Sequence, residues 1–218
     1  MMKIKKSIPL IDQHDKNGFY GGKFGGNFVA ETTIKPIEDL TKLFAKLRKD
    51  KEFLKRKEDL FNNYLCGKTP FFKLENLTEH LGGAQIWCKD VSAIRGDAHK
   101  AYHATINALI CKMSQKRYIA GDTGAGMFGK NLAMAAKHMG LKAKIFMGSV
   151  DLERQAINAK FMRDAGAEII PVSSGSATLV DAVSECQRYY VANCDTTHLA
   201  VGSAIGANIF AKICVYST

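Results

Sequence analysis

The stretch Arg117-Tyr-Ile-Ala-Gly-Asp-Thr-Gly-Ala-Gly-Met-Phe-Gly-Lys130 runs from a short apolar segment, Arg117 to Gly121, into a glycine-rich turn. The chain then continues through Asn131 to Met139, where Leu132, Ala135, Ala136 and Met139 fall at i, i+3, i+4 and i+7. That spacing predicts a helix with one apolar face, and Gly140 stands where a helix usually stops. Ala143 to Met147 predicts the next strand. Working outward, Leu152–Ala165 predicts a helix with Asp151 as N-cap, Gly166 at its end and an apolar face of Ile157, Phe161, Met162 and Ala165. Glu168–Val172 predicts a strand, Thr178–Ala192 a helix and His198–Val201 a last short strand. Upstream, the alanine-rich run Ala101–Met113 predicts a helix. Strands alternating with helices imply right-handed βαβ units, hence an α/β fold with a three-layer parallel β-sheet flanked by helices. Any site then belongs to the loops at the strand carboxyl ends: Asp122–Lys130, Gly148–Asp151, Ser173–Ala177 and the segment after Val201.

Before residue 89 the pattern is less regular. Residues 18–30 are glycine-rich and read as loop, Pro36–Asn63 reads as one or two helices, and Gln85–Lys89 as a short strand after a Leu81-Gly-Gly turn. The organisation expected is an N-terminal helical and loop region, 1–88, leading into the sheet, and a parallel αβ unit, 89–218.

The 218 residues, 46% of them hydrophobic, suffice to bury a core. No run approaches the roughly 20 apolar residues that span a bilayer, and Met1–Lys16 has no apolar core of a signal peptide. Cysteines 66, 88, 111, 186, 194 and 214 form no CxxC pair and no zinc spacing, so reduced thiols in a cytoplasmic protein are expected, with no metal. The net charge of +10 resides largely in Met1–Lys6 and Lys42–Lys57. Apolar residues interspersed through the second stretch predict a solvated helical face, and no nucleic-acid-binding module accompanies it. No nucleic-acid or membrane partner is expected.

Three segments could carry chemistry. Gly124-Ala-Gly-Met-Phe-Gly129 fits G-x-G-x-x-G between a strand and a helix, with Asp151 beyond it. Such a turn aims backbone N–H groups at an anion, which admits a dinucleotide or a carboxylate. Ala98-His-Lys100 opens an apolar helix. The helix dipole disfavours a cation there and favours the free amine that Schiff-base chemistry needs, although an ordinary first-turn lysine has the same sequence. Ser173-Ser-Gly-Ser-Ala-Thr178 could hold phosphate or simply cap a helix.

Together these segments, with Tyr20-Gly-Gly-Lys-Phe-Gly-Gly26, Asn63-Tyr-Leu-Cys-Gly-Lys-Thr-Pro70, Phe146-Met-Gly-Ser-Val-Asp-Leu-Glu-Arg154, Phe161-Met-Arg-Asp-Ala-Gly166 and Gly202-Ser-Ala-Ile-Gly206, resemble the tryptophan synthase β subunit family. These are pyridoxal-phosphate enzymes of fold type II. The likeness runs in order from about residue 18 to 206 and reads as the family's N-terminal half, without the C-terminal half that grips the cofactor phosphate. The resemblance implies β-replacement of L-serine by indole to give L-tryptophan. It implies pyridoxal 5'-phosphate as a Schiff base on Lys100, His99 beside the cofactor phosphate, and Asp122 at the position of the catalytic glutamate. It also implies a substrate-carboxylate loop of Thr123, Gly124, Ala125, Gly126, Met127 and Phe128. L-Serine and indole would be the small-molecule partners, with an α subunit and a second copy of the chain as candidate macromolecular ones.

Several positions depart from the family. Asp122 is one methylene shorter than glutamate, Met127 and Phe128 replace glutamine and histidine, and Lys68 replaces arginine. Asp90–Asp97 is altered throughout, and Ala101-Tyr-His103 replaces Ile-Asn-Asn. Two expectations follow: a β-chain-like lyase impaired in this short form, or a non-catalytic remnant serving as a scaffold or partner-binding protein.

Overall fold

The computed structural model describes residues 9–217; the basic segment Met1–Lys6 and the first half of Met1–Lys16 lie outside them. A hairpin of β1 (Phe19–Tyr20) and β2 (Phe24–Gly25) is followed by helices α1 (Glu31–Leu47) and α2 (Lys51–Asp59), then a π-helical turn over Leu60–Tyr64. Strand β3 (Phe71–Lys73), helix α3 (Glu75–Leu81) and strand β4 (Trp87–Lys89) form a small arm. Next come α4 (Lys100–Met113), β5 (Tyr118–Thr123), α5 (Met127–Met139), β6 (Lys142–Gly148), α6 (Ser149–Arg154) and α7 (Ala156–Asp164). The chain closes with β7 (Glu168–Val172), α8 (Leu179–Asn193), β8 (Thr197–Ala200) and α9 (Asn208–Ser217).

The main sheet is parallel with strand order β7-β6-β5-β8. Its central strands are buried on both sides, as a parallel sheet covered by helices requires. Helices α5 and α7 cover one face, around Ile119, Leu132, Ile145 and Met162. Helices α8 and α1 cover the other, around Phe44, Phe146, Cys186 and Tyr190. Helix α4 belongs to both cores: Ala104 and Ala108 enter the first, Ile106 and Ile110 the second. The three-layer α/β reading therefore holds.

The structure corrects several local expectations. The helix expected over Leu152–Ala165 is two helices broken at Gln155 (φ −114°, ψ 35°), which separates the face of α7 from that of α6. Ala159 and Met162 are the buried residues of α7, while Ile157 and Phe161, expected on its apolar face, are 76% and 54% exposed. Helix α5 starts at Met127 rather than Asn131, because Gly126 at φ +85° makes the turn one step earlier. Strand β4 pairs antiparallel with β3 and stays apart from the main sheet. Helix α1 starts five residues before Pro36.

The basic stretch is only partly a solvated face. Arg48 donates both terminal nitrogens to the Asp12 carboxylate at 3.0 Å, and Lys212 of α9 reaches the same carboxylate at 3.2 Å. The Arg48 hydrogen bond, with Lys212 adding to it, holds Asp12 down at about 2. Lys57 donates to the Tyr216 carbonyl at 2.8 Å, and burial lowers its pKa. All six cysteines are free, with Cys111, Cys186 and Cys214 buried. No helix among the described residues is long and apolar enough to cross a membrane.

Candidate active site

Strand order decides where the site can form. From β5 the chain winds through α5 to β6 and through α6 and α7 to β7, always to the same side of β5. Helix α8 then returns across the opposite face and delivers β8 to the other side of β5. At β5 and β8 the winding reverses, so their outgoing loops part and leave a crevice at the strand carboxyl ends. Asp122 and Thr123 end β5, and Gly202 lies just beyond β8.

Lys100 is the first residue of α4, which passes beside β8. Its side chain is partly buried, and Nζ donates a hydrogen bond to the Gly202 carbonyl. One turn along, the buried His103 brings Nδ1 to 3.4 Å from the same carbonyl and 3.9 Å from Cys214 Sγ. Burial pushes the His103 imidazole below its usual range, against the Gly202 carbonyl, and the neighbouring Lys100 and His99 push the same way. His99 is exposed, its ring edge-on to His103 at 5.6 Å. Below His103, its carbonyl accepts from Asn107 Nδ2 at 2.8 Å, and Asn107 Oδ1 faces His198 Nε2 at 3.0 Å. His198 is fully enclosed and burial drives its pKa down to about 3, so it is neutral and donates that bond.

Asp122 faces the α8 side of the sheet. Burial raises its carboxyl to about 6, moderated by its own backbone N–H and by Lys100. Its negative charge adds to the burial that raises the Cys186 thiol on α8. Among the described residues Lys100 and Asp122 form no direct ion pair, yet the Lys100 charge reaches Asp122 and works against the effect of burial there. A carboxyl titrating near neutrality beside a primary amine is equipped to give and take protons.

The loop from β5 to α5 is built largely by its backbone. Thr123 is 4% exposed, and its Oγ1 accepts from the Gly129 N–H at 3.2 Å, satisfying a free donor of the first turn of α5. Phe128 is buried against Gly121, Leu132 and Gly202. Gly202 has no room for a Cβ because the Phe128 ring occupies it, so that ring fixes how closely the β8 loop approaches. Asn158 of α7 holds the loop from outside, donating to the Ala125 carbonyl at 2.8 Å and touching the position a Cβ on Gly126 would fill, 2.5 Å away. Gly124 packs under Leu179.

The structure thus brings Lys100 to Gly202 beyond β8, close enough for its charge to act on Asp122 at the end of β5, where the Thr123–Phe128 loop begins; His99 is exposed beside Lys100. Sequence reasoning missed His103, Gly202 and Asn158 as parts of this arrangement. His103 stood out only as a departure from Ile-Asn-Asn, and the contact that gives it meaning spans 99 residues.

A family described as "Pyridoxal-phosphate dependent enzyme" matches residues 63–212. The chain belongs to that family. It is 41% identical over 194 residues to the tryptophan synthase beta chain of Leptospira biflexa serovar Patoc, in the strain Patoc 1 forms Ames and Paris. That alignment covers 89% of this chain and 49% of the relative, so the chain spans about half the length of the curated relatives it matches. Among solved structures, a pyridoxal 5'-phosphate-dependent aspartate racemase superposes with a TM-score of 0.54 at 18% identity, over 75% of this chain and 46% of that one. Maize serine racemase does so with 0.54 at 15%, over 72% and 45%. These two likenesses concern the fold.

The family's cofactor carries an aldehyde that takes a lysine amine. Lys100 fits it: the amine stands at the winding reversal and is held by a neutral carbonyl rather than consumed in a carboxylate ion pair. The dinucleotide reading of Gly124–Gly129 is set aside by the family match.

Proposed function

We propose that this chain is the lysine-bearing half of a tryptophan synthase β-type lyase, replacing the hydroxyl of L-serine by indole to form L-tryptophan. The observation that carries this reading is the Lys100 amine poised on the Gly202 carbonyl within the field of Asp122, at the crevice between β5 and β8. Pyridoxal phosphate, when bound on Lys100, supplies the electron sink that stabilises negative charge at the substrate Cα.

The protein's own residues have separable tasks. Lys100 takes and returns the Cα proton once its amine is free. The backbone of Gly124, Ala125 and Gly126, ahead of the α5 N-terminus, binds the substrate carboxylate; Asn158 keeps that backbone in place from behind. Asp122, titrating at about 6, donates a proton to the departing serine hydroxyl and afterwards accepts one from indole. Met127, in the first turn of α5, and Phe128, inside the protein, supply none of the polar contacts of the glutamine and histidine they replace. That favours the second reading for this chain by itself, a scaffold with little turnover. An α subunit and a second copy of this chain remain the proposed macromolecular partners.

The test is to add pyridoxal phosphate, reduce with borohydride and map the modified peptide, recording the visible spectrum before and after L-serine. Label on Lys100 with a serine-dependent spectral change is expected. Label elsewhere, or none, overturns the cofactor assignment.

A further inference from the structure

The feature of the crevice that the proposed function leaves unused is His103. It occupies the same face of α4 as Lys100 and is only 8% exposed. Its Nδ1 faces two groups, the Gly202 carbonyl at 3.4 Å and Cys214 Sγ at 3.9 Å. The Cys214 thiol is itself directed at the Val201 carbonyl, 3.9 Å away. A bare Nδ1 lone pair would point at the lone pairs of a carbonyl oxygen. A protonated Nδ1 instead donates to it, which is the only sense of this contact that attracts. The Gly202 carbonyl, with two lone pairs, therefore has two donors: the Lys100 amine and the His103 ring. The Phe128 ring packs against the Cα of Gly202.

This arrangement bears on the moment when Lys100 must let go. Whatever aldehyde the amine reacts with, Nζ leaves the Gly202 carbonyl, and a buried carbonyl stripped of its donor is destabilised. We propose that His103 is a positioning residue that stands in for Lys100 at the Gly202 carbonyl, so that the amine is released for carbonyl chemistry without stranding that acceptor. At 3.4 Å His103 has the place a reserve donor requires: it is near enough to close on the oxygen and leaves room for the amine. Its footing is firm, since Asn107 and His198 hold the α4 backbone at His103 from β8.

The inference rests on Lys100 being the reactive amine, and it is tested in a way that separates the two. The full chain without cofactor is reductively methylated with formaldehyde and cyanoborohydride, and the rate at Lys100 is read by peptide mass spectrometry against the other lysines. In His103→Met, which keeps a bulky side chain but no donor, Lys100 should react about tenfold more slowly, the size expected for unpairing a buried carbonyl. In His103→Gln, which restores an N–H donor, the rate should return to within about threefold of the original. In the unmodified chain, long-range nitrogen NMR should find neutral His103 with its proton on Nδ1. Equal Lys100 rates in the original and His103→Met chains, or no recovery in His103→Gln, overturns the proposal, as does a His103 proton on Nε2. If His103→Met does not fold, the His103→Gln rate and the NMR result remain, and a His103 proton on Nε2 still overturns the proposal. Failure of pyridoxal phosphate to label Lys100 would instead remove the cofactor reading and leave these measurements standing.

Discussion

On one side of the crevice, around the start of α4, the groups that matter are side chains: Lys100 and His103 converge on one carbonyl, and His99 sits edge-on beside them. On the other side, from Thr123 to Phe128, the side chains of Thr123 and Phe128 are turned inward. Thr123 caps α5 internally, Phe128 is packed beneath Gly202, and the turn offers its backbone. The difference teaches which half can vary freely. Side-chain chemistry on α4 can be altered by substitution with the scaffold intact, whereas the loop's capacity to bind an anion is inseparable from the packing that shapes it. The departures from the family fit this division. Phe128 replaced a polar residue yet found a place in the core, and His103 replaced another and acquired a polar partner.

Four experiments would break or sharpen this contrast. The largest effect should come from Lys100→Met: loss of all borohydride-fixed cofactor at residue 100, with folding stability changed by no more than about 1 kcal/mol because the amine is only partly buried. Loss of folding, seen by circular dichroism, would mean that the α4 side is structural after all. The next concerns Asp122, whose carboxyl is raised by burial from 3.8 to about 6. A raised acid binds its proton more tightly when folded than when unfolded. Its destabilisation is therefore absent below pH 3.8, grows as the pH rises towards about 6, and is complete above it, on the order of 2–3 kcal/mol. Asp122→Asn should accordingly be more stable than the original chain at pH 7 and no more stable at pH 3.5, by urea unfolding. The same gain at both pH values would show that the carboxyl is not the source.

On the loop side, Gly202→Ala drives a methyl group into the Phe128 ring and should destabilise the fold by about 2 kcal/mol. Pairing it with Phe128→Leu should recover part of that loss, and a purely additive double mutant would refute the contact. Thr123→Val removes the acceptor for the Gly129 N–H and should cost about 1 kcal/mol, read as a drop in melting temperature. No change would place that N–H on another acceptor.

Much of the scaffold is readable from periodicity, because β5, α5, β6, α8 and β8 each bury a continuous or one-sided apolar set. The crevice was foreseeable too, since any parallel sheet places its loops at the strand carboxyl ends. What escaped depends on pairings far apart in the chain. Nothing local to Gln155 announces a helix break, and Ile157 and Phe161 read as core because periodicity cannot tell which side of a helix meets its neighbour. Gln85–Lys89 reads as a short strand with no partner named, and the partner, Phe71–Lys73, lies on the far side of α3. His103 has no motif: its role is created by Gly202, which the chain brings back only after four strands.

Helix α4 is shared by both cores, with alanines on one flank and Ile106 and Ile110 on the other. Lys100 is mounted at the tip of that shared beam. A disturbance in either layer, whether a loosened α5 or a displaced α8, must pass through α4 before the molecule can absorb it, and the amine at its end registers the movement. The reactivity of one lysine is in this sense a gauge of the whole sheet: the same residue that would carry the chemistry also reports whether the architecture around it is sound.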